Sequence, residues 1–172
     1  MNTGKEKMPS RIIVIALGAN LPSEAGTPAE TIHAALAALK QNGITLAEVS
    51  PFYRTPAWPD PADPEFVNAV ARIETALPPE GLIARLHAVE EQFGRMRGVR
   101  NAPRRLDIDL IDYEGRIEDG SPVLPHPRMQ TRAFVLAPLR DVAPGWRHPV
   151  SGKTVETLLR ELPDAGRSAT RL

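Results

Sequence analysis

The stretch "RIIVIALG", which ends at Gly18, constrains the fold most, because it is a near-continuous run of β-branched and other apolar residues. Such a run predicts a strand that is buried on both faces or nearly so. A chain of 172 residues suits one domain that buries most of its apolar surface. We therefore expect a single domain over residues 11–163, with frayed tails at residues 1–10 and 164–172.

Two helices and three further strands follow this first strand in a fixed order. A capping box of Thr27 and Glu30 begins the first helix, and Pro78-Pro79 begins the second, which runs to Gly94. The other strands are "ITLAEVSPFYRT", with a bulge near Ser50-Pro51, then "EFVNAVARIETA" and "RLDIDLIDYEG". The resulting βαββαβ order predicts an α+β, ferredoxin-like fold, an antiparallel sheet with both helices on one face. "AFVLAPLRDVAP" and "KTVETLLREL" predict two short helices added after this core.

Composition excludes several classes of protein. The formal net charge is zero, so no overall field attracts nucleic acid or a membrane surface. The absence of cysteine excludes disulfides and thiolate chemistry. No apolar run approaches the roughly 18 residues of a membrane span. The N-terminus lacks an apolar signal region, which makes the cytoplasm the expected compartment.

Asp107 and Asp109 are the first candidates for chemistry. The strand period of two places both carboxylates on one face, while Leu106, Ile108 and Leu110 point to the other. Two like charges at this spacing repel unless a cation lies between them. Mg²⁺ suits such hard oxygen ligands and completes its shell with water and phosphate oxygens. The alternative is a solvated strand face on which the aspartates pair with nearby arginines.

A cluster of arginines precedes this pair: Arg95, Arg97, Arg100, Arg104 and Arg105. On a helix, such a run is usually a solvated surface. In a loop beside a metal site, it is typical of a clamp on a polyphosphate. Metal and arginines together are the minimal equipment for phosphoryl transfer. The chain lacks a phosphate-binding glycine loop, so arginines and metal would have to hold the phosphates.

Three other polar residues have competing interpretations. His126, in a proline-fixed loop, is either structural or a donor to a phosphate. Asn68, amid apolar strand neighbours, needs partners, which an adjacent loop would supply. Glu90 on the second helix is exposed by default. The remaining histidines, His33, His87 and His148, are interpreted as helix or surface residues without a role.

The motifs, taken together and in order, resemble one family. "IALGANL", "SPFYRTPAW", "EFVNAVARIET", "EEQFGRMR", "NAPRRLDIDLI", "LPHPRM" and "TRAFVLAPL" are similar to the 6-hydroxymethyl-7,8-dihydropterin pyrophosphokinases of folate biosynthesis. The similarity extends over about residues 11–163. It implies transfer of diphosphate from ATP to the hydroxymethyl group of the pterin, with release of AMP.

The resemblance also implies roles for individual residues. Asp107 and Asp109 would bind two Mg²⁺ ions, and Arg95 and Arg104 would lie in mobile catalytic loops and stabilise the transferred charge. No general base is evident, and a bound metal would suffice by lowering the pKa of the hydroxyl. Matches to ATP-contacting positions are Glu90, Arg97, Leu110, His126 and Arg132. Matches to pterin-contacting positions are Thr55, Pro56, Trp58, Phe66, Asn68 and Phe134, in which Phe66 and Phe134 would sandwich the ring.

Three positions depart from the family pattern. Asn101 stands where a tryptophan is frequent, Pro127 where some relatives have tyrosine, and Phe66 where tyrosine is common. None removes a metal ligand or an arginine, so we expect an active enzyme with altered loop closure. We further expect a monomer with no nucleic-acid or membrane partner.

Two rival functions stay open on the sequence. A non-catalytic ferredoxin-like module that binds a small ligand would have scattered charges instead of a dense arginine loop beside two aspartates. A metal-dependent nucleotidyltransferase would also use paired aspartates, but it would release pyrophosphate instead of AMP.

Overall fold

The structure is a computed structural model that describes residues 11–94, 103–164 and 167–172. The strands are β1 (Ile13–Ala19), β2 (Thr45–Val49), β3 (Tyr53–Thr55), β4 (Phe66–Glu74), β5 (Asp107–Tyr113) and β6 (Thr170–Arg171). The helices are α1 (Pro28–Gln41), α2 (Pro79–Gln92), α3 (Ala133–Val142) and α4 (Val155–Glu161), with a 3-10 turn at Met129–Thr131. The predicted capping box of Thr27 and Glu30 begins α1.

The sheet has the strand order β5-β1-β4-β3-β6, and β2 pairs with β4 beside β3. The β1, β2, β3 and β5 pairings are antiparallel. β2 and β3 both pair with β4 and count as one strand position. With this count, the elements follow the βαββαβ order, and β5 and β4 lie on either side of β1. The prediction of a ferredoxin-like α+β fold with added C-terminal helices is confirmed.

The second predicted strand is interrupted more strongly than by a bulge, at Ser50 and Pro51. Pro51 has no amide hydrogen to donate to the sheet. Ser50 replaces part of the lost pairing, because its amide donates to the Val70 carbonyl and its hydroxyl accepts from the Val70 amide, at 2.9 and 3.0 Å. The chain therefore stays beside β4 and resumes as β3, the strand that carries Thr55.

Apolar residues cover both faces of the sheet, as the first strand requires. On one face, α1 and α2 pack against alternate residues of the strands, among them Ile15, Ala69 and Ile108. On the other face, α3 and α4 pack against Val14, Val70 and neighbouring residues. α3 and α4 do not extend over the carboxyl end of β1 or the start of β5, and the polar residues lie there.

The C-terminal segment differs from the frayed tail predicted for residues 164–172. Thr170 and Arg171 pair with β3, and the Leu172 amide donates to the Phe52 carbonyl at 2.8 Å. The outer side of β3 is a sheet edge whose free backbone groups accept a further strand.

Among the described residues, no helix is long and apolar enough to cross a membrane.

Candidate active site

The site is built on one row of residues across four neighbouring strands. Gly18 in β1 pairs with Asp107 in β5 on one side and with Asn68 in β4 on the other. Asn68 in turn pairs with Tyr53 in β3. Paired residues point to the same face, so the Asp107 carboxylate and the Asn68 amide project on one side of the sheet, with their Cα atoms about 10 Å apart.

Gly18 leaves the space between these two side chains open. A Cβ on Gly18 would lie 3.0 Å from Oδ1 of Asn68 and 3.9 Å from the Phe66 ring. Any larger residue would therefore push against the amide, and a glycine keeps the floor of the site flat.

Cationic side chains approach the two aspartates. Arg104 donates from Nη1 to Oδ1 of Asp107 at 2.8 Å, and Nη1 of Arg132 lies 3.8 Å from Oδ2 of Asp109. The pairing of aspartate with arginine that was open as an alternative is thus realised at Asp107. It does not exclude a metal, because both partners are partly exposed and such pairs contribute little stability.

His126 lies beside Asp109 in a loop fixed to the free edge of β5. Its amide donates to the Ile111 carbonyl at 2.9 Å, and its Nε2 is 3.9 Å from Oδ2 of Asp109. Burial lowers the pKa of His126 to about 4, and the charges of Arg132 and Arg128 act in the same direction. The ring is therefore neutral at pH 7. Because Nδ1 accepts from the Arg128 amide, the proton sits on Nε2, which faces Asp109.

A cavity of about 180 Å³ lies next to His126 and Asp109, between α2 and β5. Its walls combine polar and apolar groups, and its lining includes Leu110, a residue predicted to contact ATP. His87, which we predicted to have no role, also lines it. The remaining lining residues are Ile83, Leu86, Ile108, Pro122, Val123 and Pro127.

Glu90 is fully buried, so its interpretation as an exposed helix residue is wrong. Its Oε1 accepts from the Ile108 amide, between the two aspartates of β5, at 2.6 Å. Glu90 follows Leu82 and Leu86 at helical spacing, which indicated that it faces the sheet. A carboxylate on that stripe reaches backbone amides that an apolar residue could not satisfy.

Of the residues predicted to contact the pterin, Thr55 and Phe66 lie next to Asn68. Its Nδ2 donates to Oγ1 of Thr55 at 2.8 Å, so its partner is in the adjacent strand and not in a loop. Phe66 is half-buried beside Thr55 in the register of β3 and β4. Phe134 is the second residue of α3, and the Arg132 guanidinium lies over its ring, 5.3 Å from the ring centre.

Trp58 and Pro56 follow Thr55 in the proline-rich loop, which comprises residues 56–64, "PAWPDPADP". The Trp58 side chain is 72% exposed, so the structure does not show it lining a pocket. Arg95 and Arg97, the first two arginines of the predicted clamp, lie outside the described residues, as do Arg100 and Asn101. His148, interpreted from the sequence as a helix or surface residue, is buried.

Sequence reasoning missed Asn20, which is buried just after β1. Its side chain bonds to two separate loops of the site, at Pro64 and Arg104. The only signal was its place in "LGANL", where a polar residue directly follows a buried strand.

Fold and site together define an enzyme of the phosphoryl-transfer class, in which paired aspartates and arginines surround an open face of a ferredoxin-like sheet. A family model described as 7,8-dihydro-6-hydroxymethylpterin-pyrophosphokinase (HPPK) matches residues 14–144. The chain belongs to this family, as its motifs implied.

Named relatives agree with this assignment. The chain is 40% identical over 156 residues to a 2-amino-4-hydroxy-6-hydroxymethyldihydropteridine pyrophosphokinase of Pseudomonas aeruginosa, covering 90% of this chain and 93% of the relative. It is 38% identical over 151 residues to the Synechocystis enzyme of the same name, covering 87% and 75%.

A solved structure supports the fold. The HPPK-DHPS of Plasmodium falciparum, a triple mutant, superposes with a TM-score of 0.66 at 12% identity. The match covers 93% of this chain and 46% of that one, so this chain spans less than half of that protein.

Proposed function

We propose that this chain transfers the diphosphoryl group of ATP to the hydroxymethyl oxygen of 6-hydroxymethyl-7,8-dihydropterin and releases AMP. The observation that carries the assignment to this site is the row Asp107, Gly18 and Asn68. It sets a carboxylate suited to metal-bound phosphate and an amide suited to a heterocycle edge on one face, at a spacing that two adjacent substrates would fill.

Asp107 and Asp109 fit Mg²⁺ by their chemistry. They are carboxylates on one strand face, and Mg²⁺ is commonly bound by one or two carboxylates together with phosphate oxygens and water. In the described part of the chain, His, Asp and Glu form no group of three or more that could hold a metal. The nucleotide would therefore complete the coordination. Bound Mg²⁺, two ions in our proposal, would neutralise the charge of the polyphosphate and polarise the phosphoryl group.

The chain's own cations would hold the phosphates. Arg104 and Arg132 lie on either side of the aspartate pair and can form charge-assisted hydrogen bonds with phosphate oxygens. Neutral His126 would donate from Nε2 without adding charge. Arg95 and Arg97 join this set on the strength of the sequence alone.

The cavity between α2 and β5 would take the base of ATP. Leu110 and the other apolar residues of its lining suit a heterocycle, and the same lining contains Asp109, one of the two aspartates that would meet the phosphates. Glu90 would act on the nucleotide through β5, because its bond to the Ile108 amide fixes the strand segment that carries both aspartates.

The pterin would lie over Gly18. The Asn68 amide, oriented by Thr55, offers a donor and an acceptor to the polar edge of the ring, while Phe66 and Phe134 supply the flanking aromatic faces. Pro56 and Trp58 would contribute from the proline-rich loop. The cytoplasmic compartment and the monomeric state stay predictions from the sequence.

Product analysis tests this proposal. Purified chain, Mg²⁺, ATP and the dihydropterin alcohol should yield AMP and the pterin diphosphate in equal amounts, with no AMP when the pterin is omitted. Release of pyrophosphate would instead indicate nucleotidyl transfer. Absence of turnover, with both ligands bound, would indicate a binding module.

A further inference from the structure

Asn20 joins the loops that serve the two substrates. It follows β1 directly and is 3% exposed, so it lies beneath the site and not on its surface. Its Nδ2 donates to the Pro64 carbonyl at 3.0 Å, and its Oδ1 accepts from the Arg104 amide at 2.7 Å. One side chain thus bonds to backbone groups 40 residues apart in sequence.

Both bonded positions are close to residues with substrate roles. Pro64 ends the proline-rich loop and precedes Phe66 by two positions, on the pterin side. Arg104 lies three residues before Asp107, on the nucleotide side. The backbone just after β1 reinforces the second link, because the amides of Asn20 and Leu21 both donate to the Arg104 carbonyl, at 3.0 and 3.2 Å.

Asparagine is the residue that these bonds require. The site needs one donor and one acceptor on the same short, planar group. Aspartate would accept from Arg104 but could not donate to Pro64, and alanine would do neither. An unpaired backbone group left in this buried place would be costly, so the loops would shift to find other partners.

We infer that Asn20 is a positioning residue that couples the two substrate sites. When the pterin binds, it orders the proline-rich loop, and the Pro64 carbonyl of that loop fixes the Asn20 side chain. Asn20 in turn fixes the backbone of Arg104, where the phosphates bind. The binding of one substrate therefore raises the affinity for the other, and the coupling is reciprocal. This inference rests on the proposed function, which assigns the two loops to the two substrates.

The test is a binding cycle by titration calorimetry on the full chain. The dissociation constant of a non-hydrolysable ATP analogue with Mg²⁺ is measured with and without the dihydropterin, and that of the pterin with and without the analogue. For the wild type, we expect a coupling factor of about 5- to 150-fold. Asn20→Ala should reduce the factor to about 1, whichever ligand is titrated second.

Two further variants separate coupling from stability. Asn20→Asp keeps the volume and the acceptor for Arg104 but loses the donor to Pro64, so the factor should again fall to about 1, and this variant serves if Asn20→Ala does not fold. Asn42→Ala is the matched control, because Asn42 donates to the Ala38 carbonyl at the end of α1, away from both loops. It should lower Tm and leave the coupling factor unchanged.

Wild-type coupling in both Asn20 variants would overturn the inference, even if their Tm were lower. A wild-type factor of 1 would overturn it as well, while leaving the proposed function intact. Failure of the wild type to bind either ligand would instead contradict the proposed function.

Discussion

The two faces of one strand, β5, show how this molecule separates stability from chemistry. On the side of α1 and α2, Ile108 and Leu110 of β5, with Leu106 just before the strand, belong to the apolar core. On the other side, Asp107 and Asp109 remain partly exposed among arginines and a histidine. The same backbone segment thus serves packing on one face and a charged site on the other.

The comparison shows why the site can carry so much charge. A rigid, packed face fixes the strand, and side chains on the opposite face inherit that position without having to stabilise the fold themselves. Glu90 is the exception, since it is a buried carboxylate on the packed side whose bond reaches the strand backbone. Changes on the two faces should therefore affect different measurements, except at Glu90.

The largest effect on the charged face is expected for Asp107→Asn. Asparagine would hold Mg²⁺ less well, and weaker neutralisation of the polyphosphate charge should lower kcat by about 100- to 1000-fold. The free energy of unfolding should change by less than about 1 kcal/mol, because the Arg104 pair that is lost is partly exposed. Steady-state AMP release and urea unfolding check both numbers. A kcat within threefold of the wild type would contradict the role of Asp107.

The packed face should give the opposite result. Leu39 in α1 is fully buried in the core under the sheet, and Leu39→Ala should lower the free energy of unfolding by about 2–5 kcal/mol. At a temperature where the variant remains folded, kcat should stay close to that of the wild type. Chemical denaturation with parallel kinetics makes the measurement. A large fall in kcat without loss of stability would contradict the separation of the two faces.

Glu90→Ala should change both measurements, because it acts on the strand from behind. The buried Ile108 amide would lose its acceptor, at a cost of about 1–3 kcal/mol. The aspartates on either side of Ile108 would lose their fixed position, so kcat should fall as well. Unfolding and kinetics on the same preparation test this, with Glu91→Ala, at the next position of the same helix, as the comparison variant. Loss of stability with wild-type kcat would confine Glu90 to a structural role.

Gly18→Ala should act on one substrate alone. The added methyl would lie 3.0 Å from Oδ1 of Asn68, and a clash of this kind costs about 1–3 kcal/mol. KM for the pterin should rise by about 5- to 150-fold, whereas the affinity for the ATP analogue should change little. Gly145→Ala, where a Cβ meets no atom within 4 Å, is the matched control. Equal weakening of the binding of both substrates would contradict the proposal that the pterin lies over Gly18.

The smallest effect is expected for the pH dependence of stability, through the buried histidine His148. Burial lowers the pKa of His148, whose Nδ1 accepts from the amides of Val150 and Ser151. The unfolded chain therefore binds this proton more readily, so stability should fall as the pH decreases below about 6.5. His148→Asn should make that part of the Tm profile less steep without altering kcat, and His126, whose pKa is lowered to about 4, should account for a slope that remains. Parallel Tm profiles for both proteins would contradict the assignment.

The sequence predicts most of the fold and predicts that Asp107 and Asp109 share one face of β5, because both follow from the spacing of apolar and polar residues. Alternation in "LDIDL" determines which side chains of β5 share a face, and the order of elements determines the topology. The sequence could not reveal that Ser50 maintains the pairing with β4, because this depends on the position of the Ser50 hydroxyl relative to the Val70 amide.

The positions of Asn20 and Glu90 depend on tertiary contacts in the same way. Asn20 lies at the margin of an apolar segment, where spacing alone fits both an exposed and a buried side chain. For Glu90, spacing indicated the buried face of α2 but not the group that its carboxylate would bond. Their roles come from backbone groups far away in sequence, Pro64 and Arg104 for Asn20 and Ile108 for Glu90. Such partners are brought close only by the folded sheet.

The most direct test of the central claim is Mg²⁺-dependent nucleotide binding by Asp109→Asn. The claim is that the open face of β5 binds metal and nucleotide together. Calorimetry should show the wild type binding a non-hydrolysable ATP analogue much more tightly with Mg²⁺ than without it. In Asp109→Asn, this dependence on Mg²⁺ should be lost, with affinity reduced at least about tenfold, or about 1.4 kcal/mol. Binding by the variant with the affinity and Mg²⁺ dependence of the wild type would contradict the claim.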